Sequence, residues 1–175
     1  CKNALNECEG DIDNAMDWLR TKGIAKAAKK SSRVTTEGMV HSYIHTGSRL
    51  GVLVEVNCET DFVARTFDFR EFVEDVAMHI AASRPQYVND TEIPEDVVQR
   101  ETEIQVARVV EEGKPQHIAE TRIVPGRILK WKKEISLMHQ QWMHTDDKMT
   151  VTDVVASMIH KTGENIMIRR FVTFE

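Results

Sequence analysis

The groups that could do chemistry gather in one stretch of the chain. The carboxylates Glu55, Glu59 and Asp61 lie close together in sequence, and His41 and His45 precede them four residues apart, with Cys58 between the acids. Paired carboxylates can act as general acid and base when their environments separate their pKa values. Nothing in the sequence signals a pocket that would do this, so the ordinary expectation is solvated carboxylates. Two histidines at i and i+4 on a strand share a face but lie too far apart to bind one metal ion. Cys58 could complete a ligand set only if strand register brought it to them, and no metal is expected. A phosphate-cradling GxxxxGK loop, a GxGxxG turn, a GxSxG elbow and an HExxH helix are all missing from the sequence. No catalytic residue, cofactor or direct nucleotide binding is therefore expected, and the chain is not expected to be an enzyme.

One segment stands apart. Thr60-Asp61-Phe62-Val63 sets a large aromatic beside an acid where a strand gives way to a helix. Two readings are open. Thr60 or Asp61 could cap the helix while Phe62 packs inward as a staple. Alternatively, the turn protrudes, with Phe62 anchoring a partner and Asp61 acting beside it.

The surrounding pattern says what positions this turn. Glu37–His45 and Arg49–Cys58 are rich in β-branched residues and flank Thr46-Gly47-Ser48, as in a hairpin. Val52, Val54, Val56 and Cys58 alternate with Leu53, Glu55 and Asn57, which predicts one buried face. Phe69, Phe72, Val73, Val76, Ala77, Ile80 and Ala81 recur at helical period, with a stop near Ser83-Arg84-Pro85. Further helices are expected over Glu95–Glu112, His117–Arg122 and Ile128–Ile135, the last two separated by Pro125-Gly126, with Leu137–Lys148 irregular. Thr150 and Asp153 form a capping box ahead of Val151, Val154, Val155, Met158 and Ile159, and Gly163 stops that helix. Asn165–Glu175 reads as a returning strand with Ile166 and Ile168 on one face. At the other end Asp11 caps a helix bearing Ile12, Ala15, Met16 and Leu19, with a stop at Gly23. The fold class is α+β, with helices on one face of an antiparallel sheet. The two N-terminal helical pieces are too small to bury their apolar faces alone, and the first residue is Cys1 rather than Met, so a further helix is expected ahead of it.

Composition bounds the rest. The chain has 175 residues, 41% hydrophobic and 29% charged, with a net charge of −5. Such a chain can bury a core unaided, and its charge offers no broad field to nucleic acid. No apolar run is long enough to span a bilayer. Three cysteines without a CxxC pair suggest neither a disulfide framework nor a zinc ribbon. From Arg20 to Arg33 there are six cations and no acid, either a solvated connector or a contact for an acidic surface.

The run Val54-Glu55-Val56-Asn57-Cys58-Glu59-Thr60-Asp61-Phe62-Val63-Ala64 resembles the signature of the elongation factor Ts family. The resemblance extends to Gly10-Asp11-Ile12-Asp13 with Trp18-Leu19, to Ala27-Ala28-Lys29-Lys30, and to Ser42-Tyr43-Ile44-His45 with Arg49-Leu50-Gly51-Val52-Leu53-Val54. Gly113-Lys114-Pro115, Gly126-Arg127, Gly163-Glu164-Asn165-Ile166 and Arg169-Arg170-Phe171 follow in the family's order. Gln141 and Trp142 depart from its usual proline and aromatic, and most of the family's first helix is absent ahead of Cys1. The resemblance implies a remnant of a small ubiquitin-associated-like helical module over 1–22, a basic linker over 23–36, and the family's dimerisation and core domain over 37–175, built on a three-stranded antiparallel sheet. The short length and the His41–His45 spelling resemble the compact form of cyanobacteria and plastids. They place the chain in a plastid stroma, with a bacterial cytoplasm or mitochondrial matrix as the alternatives.

The implied activity is guanine-nucleotide exchange. The partner is elongation factor Tu, met through its G domain and its C-terminal domain, with no membrane and no specific nucleic acid involved. Asp61 and Phe62, flanked by Thr60 and Val63, carry over as the wedge that disturbs the magnesium and phosphate-binding groups of the G domain. His45, Lys30 and Lys2 match positions that touch the same domain. A Ts-like structural subunit without exchange activity is the competing expectation.

Overall fold

The computed structural model describes residues 2–144 and 149–175. The chain forms two compact units, one of residues 1–82 and 141–175, the other of residues 83–140.

The first unit is built on a three-stranded sheet in the order β1 (Glu37–Ile44), β2 (Gly51–Cys58), β3 (Ile166–Phe174), antiparallel throughout. The alternation predicted for β2 holds: Val52, Val54, Val56 and Cys58 are all buried, as are Ile166 and Ile168 of β3. Helix α4 (Phe67–Ser83) buries the whole expected stripe from Phe69 to Ala81. Helix α8 (Val151–Thr162) starts on the expected capping box, where Thr150 Oγ1 accepts from Asp153 N–H and Asp153 accepts from Thr150 N–H. It ends on Gly163 at φ 78°, the left-handed conformation that glycine adopts without penalty. A register irregularity opposite Glu55 and Val56 inserts one extra residue into β3. Glu55 thereby meets both Arg169 (2.7 Å) and Arg170 (2.6 Å). Arg169 first, then Arg170, holds its carboxyl below the ordinary range.

The N-terminal region departs from expectation. Asp11 does cap α2, accepting from Asn14 N–H, but α2 runs unbroken over Ile12–Lys30, straight through Gly23. A single glycine costs a helix only about 1 kcal/mol, and the alanines and lysines after it are strong helix formers. The basic stretch expected to be a connector is therefore helical as far as Lys30, on the other side of the boundary placed between residues 22 and 23. Helix α1 (Lys2–Glu7) precedes it. Ala4 and Ala15 are buried, whereas Ile12 and Met16, expected inward, are 68% and 60% exposed.

Residue 142 is settled by stacking. Trp142 is buried and lies on the His79 ring with centroids 5.2 Å apart at 19°, and its N–H donates to Met149 O. Residues 145–148, part of the stretch expected to be irregular, lie outside the described residues.

The second unit packs α5 (Glu95–Glu111) against α7 (Val124–Ile135) around Val109, Ala119 and Val124. Pro94 is the N-cap of α5. The break expected at Pro125-Gly126 does not occur. A short α6 (Gln116–Ile118) continues through a wide π turn, Ala119–Ile123, directly into α7. Val124 N–H reaches Ala119 O, and Pro125 falls in the first turn of α7, where a missing N–H leaves nothing unsatisfied.

Gly38 shows how tightly β1 is set against β2. It has φ 144°, and a Cβ there would lie 2.2 Å from Val56 O. Gly38→Ala is expected to lower stability by about 2 kcal/mol or more, through backbone strain and collision with a partner strand that cannot yield. Chemical denaturation checks this; a midpoint equal to the parent's would mean that the strand moves freely.

Candidate functional site

The turn from β2 to α4 is held from below by hydrogen bonds. Thr60 is the N-cap of the one-turn helix α3 (Asp61–Ala64): its backbone is extended and its Oγ1 accepts from Val63 N–H at 3.4 Å. The hydroxyl proton goes to Glu164 Oε1 at 2.6 Å, and Thr60 N–H donates to Glu164 Oε2 at 3.0 Å. Glu59 completes the exchange in the other direction, its Oε1 accepting Asn165 N–H at 2.6 Å. Asn165 in turn donates from Nδ2 to Arg33 O (2.9 Å) and Ser31 O (3.4 Å). Three turns thus meet at one point: the end of α2, the end of β2, and the α8–β3 corner. The bond from Asn165 N–H keeps the Glu59 carboxyl below its ordinary value. Burial pushes the Cys58 thiol up to about 11, and its S–H donates to Thr60 O at 3.1 Å. Glu55 and Glu59 are therefore held ionised by structural partners and Cys58 is held neutral, a set suited to fixing a turn rather than to moving protons.

Above this clasp the side chains face outward. Phe62 is 79% exposed, so the inward-packing staple is ruled out, and Thr60 rather than Asp61 provides the cap. Asp61 is half-buried and pairs with Arg65 at 2.8 Å. Val63 is half-buried under the same turn. A cleft lined by Met39, His41, Asp61, Arg65, Arg70 and Glu74 runs beside it.

Of the residues singled out from sequence, Thr60, Asp61, Phe62 and Val63 are gathered on this one corner. His45 is not. It is exposed just past the end of β1, ~13 Å beyond His41 at 3.3 Å per residue. Its N–H donates to Leu50 O, and its Nδ1 lies 3.0 Å from Tyr43 Oη. Cys58 pairs with Glu37 in the ladder, four positions from the His41–Val54 pair, so the register does not bring it to the histidines. Lys30 is half-buried, its ammonium donating to Gly163 O at the C-terminus of α8, which gives it a bond within the chain. Lys2 is exposed at the start of α1. Glu164 and Asn165, which hold the turn, were visible in the sequence only as a motif without a role. Phe67, 76% exposed at the start of α4, lies outside the stripe that reveals the other aromatics of that helix.

The clasp makes a pH dependence. The lowered Glu59 pKa contributes stability that is fully present above its ordinary value of 4.5 and is lost as pH falls through the lowered value. Glu59→Gln is expected to melt lower than the parent near neutral pH, with the gap closing below pH 4.5. Melting curves from pH 7 downward check it; a gap that stays constant with pH would show that the carboxylate charge contributes nothing.

Comparison with known proteins gives the family. The family model described as Elongation factor TS matches residues 23–157. Over 175 residues the chain is 52% identical to Elongation factor Ts of Caldanaerobacter subterraneus subsp. tengcongensis and 54% identical to that of Syntrophomonas wolfei. All of this chain is covered in both cases, with 86% and 81% of the relatives. Elongation factor Ts of Geobacter metallireducens is 53% identical over 174 residues, covering 99% of this chain and 80% of the relative. These relatives are bacterial and themselves short, so compactness does not single out a plastid member. The full-length identity and the matched model together show that the chain belongs to the elongation factor Ts family.

Proposed function

We propose that this chain promotes release of GDP from elongation factor Tu, with the Asp61–Phe62 corner as the element that enters the G domain. One observation carries the reading. Phe62 is a large apolar side chain left 79% exposed on a turn whose Thr60 and Val63 N–H groups are both hydrogen-bonded, to Glu164 and to the Thr60 hydroxyl. Phenyl surface held out in water on a rigid support suits an anchor that becomes buried only in a complex. Asp61, tied to Arg65 in the free protein, stands beside it as the polar member of the pair.

The mechanism needs no covalent step from this chain. A G domain holds its diphosphate through a phosphate loop and a magnesium ion. An aromatic pressed between its helices displaces those groups by a discrete helix shift. Binding and release are then reciprocal: a chain that weakens GDP binding is itself bound less tightly by the GDP form than by the empty form. His45, exposed at the hairpin end, offers a second contact, and so do Lys2 and Lys30. Lys30 would exchange or share its bond to Gly163 O. The bacterial relatives fit a bacterial cytoplasm as the place of action.

Release of labelled GDP from cognate Tu, followed in time with and without the chain, tests the reading. Acceleration is expected. Tight binding without acceleration would instead make this a Ts-like interaction subunit.

Two variants sharpen it. Phe62→Ala should slow release at least tenfold, a loss of ~1.4 kcal/mol or more. Its melting should stay within about 0.5 kcal/mol of the parent, because the ring touches mostly solvent. A large drop in melting with exchange per folded molecule preserved would contradict the wedge. His45→Ala should weaken exchange without unfolding the hairpin, since the residue is exposed and its ring lies beside Tyr43. Exchange at the parent rate would reduce His45 to a turn residue.

A further inference from the structure

Phe67 takes no part in the buried core. It is 76% exposed at the first position of α4, a helix that buries Phe69, Phe72, Val73, Val76, Ala77, Ile80 and Ala81 on its inner stripe. Two residues ahead of Phe69, it lies ~160° from that residue around the helix at 100° per residue, outside the buried stripe. A single exposed hydrophobe is commonplace. Here there are two phenylalanines, one on each side of the same corner: α3 ends at Ala64, α4 begins at Phe67, and only Arg65 and Thr66 intervene.

That corner is stiff. Thr66 Oγ1 donates to Val63 O at 2.8 Å and accepts from Phe69 N–H at 3.3 Å, stitching the last turn of α3 to the first turn of α4. Thr66 N–H donates to Val63 O and Arg65 N–H to Asp61 O. The Arg65 side chain is drawn back to Asp61, and Asp68 is drawn to Lys161 at 2.8 Å. The charged neighbours are thus engaged elsewhere, and the two phenyl groups rise from a backbone that is already fixed.

We propose that Phe67 is a second aromatic anchor for the partner that receives Phe62. It sets how tightly the G domain of Tu is held, while Phe62 sets how far the nucleotide site is disturbed. The proposal rests on the reading of the Asp61–Phe62 corner given above. The partner surface it implies is apolar at two points flanking a charged spot that faces Asp61 and Arg65. Preorganisation is what makes the second ring useful, because a corner already hydrogen-bonded loses little freedom on docking.

The test is the rate of GDP release from Tu measured against the concentration of the chain, for the parent, Phe67→Ala, Phe67→Glu and Phe62→Ala. Phe67→Ala is expected to raise the half-maximal concentration about tenfold while the saturating rate is kept. Phe67→Glu should raise it further. An acid at the first position of a helix favours the macrodipole, so that variant should melt no lower than the parent, which separates lost docking from lost folding. Phe62→Ala should instead lower the saturating rate. Parent-like half-maximal concentrations for both Phe67 variants, with Phe62→Ala impaired, would overturn the proposal alone. Parent-like behaviour of Phe62→Ala as well would bring down the underlying reading with it.

Discussion

Two carboxylates exchange partners across more than a hundred residues of chain, and the Asp61–Phe62 corner depends on that exchange. Glu59 accepts the N–H of Asn165, and Glu164 accepts the N–H and hydroxyl of Thr60. Each acid satisfies the backbone of the turn that carries the other. Hydrogen bonds to an ionised acceptor are about twice as strong as neutral ones, and Glu59, whose carboxyl is held below its ordinary value, accepts Asn165 N–H at 2.6 Å. The clasp fixes where β2 ends, where α8 hands over to β3, and, through Asn165 Nδ2, where the chain leaves α2. Without it, Thr60 would have an unmatched N–H at a helix start, and α3 would lose the residue that defines its first turn.

Buried and exposed groups divide at this line. Below it, Cys58, Val56 and Ile166 are closed off in the core, and the acids are committed to backbone donors. Above it, Phe62 and Phe67 face water. A protruding apolar residue on a loose loop would fold back onto the sheet, because burial gains roughly 25 cal/mol per Å². The side-chain and backbone bonds of Thr60 and Thr66 oppose that collapse by fixing the direction of the chain. Local hydrogen bonding of this kind favours continued exposure of the two rings.

How much was legible in the sequence follows from range. Period-two alternation in Val52–Cys58 and the helical stripe from Phe69 to Ala81 are local patterns, and both appear in the structure as read. The Thr150–Asp153 box and the Gly163 stop are equally local. Gly23 and Pro125-Gly126 misled, because propensity is a weak signal. Strong neighbours carried one helix through its glycine, and a widened turn carried the other past its proline. The fate of Phe62 was undecidable from pattern, since an inward staple and an outward anchor share one spelling. The Glu59–Asn165 and Thr60–Glu164 bonds link residues too distant for any period to connect. Phe67 could have been seen, being the aromatic out of phase with its own helix.

A factor that speeds exchange without chemistry must favour one state of its partner by contact alone. A ligand shifts an equilibrium only by the difference in its affinity for the two states. The contact must therefore be stiffer than the element it moves, or the strain returns to the factor itself. If the Asp61–Phe62 corner is the element that enters the G domain, its clasp by Glu164 and its stitching to α4 by Thr66 are what would supply that stiffness. The same stiffness bounds the interaction from above. A corner that fits the displaced state too well would hold empty Tu and delay the entry of the next nucleotide, so affinity and release oppose one another at this surface. On the proposed reading, dividing the work between a ring that disturbs and a ring that holds would let the two be set separately, and Phe62 and Phe67 stand on either side of Arg65 and Thr66, where such a division would fall.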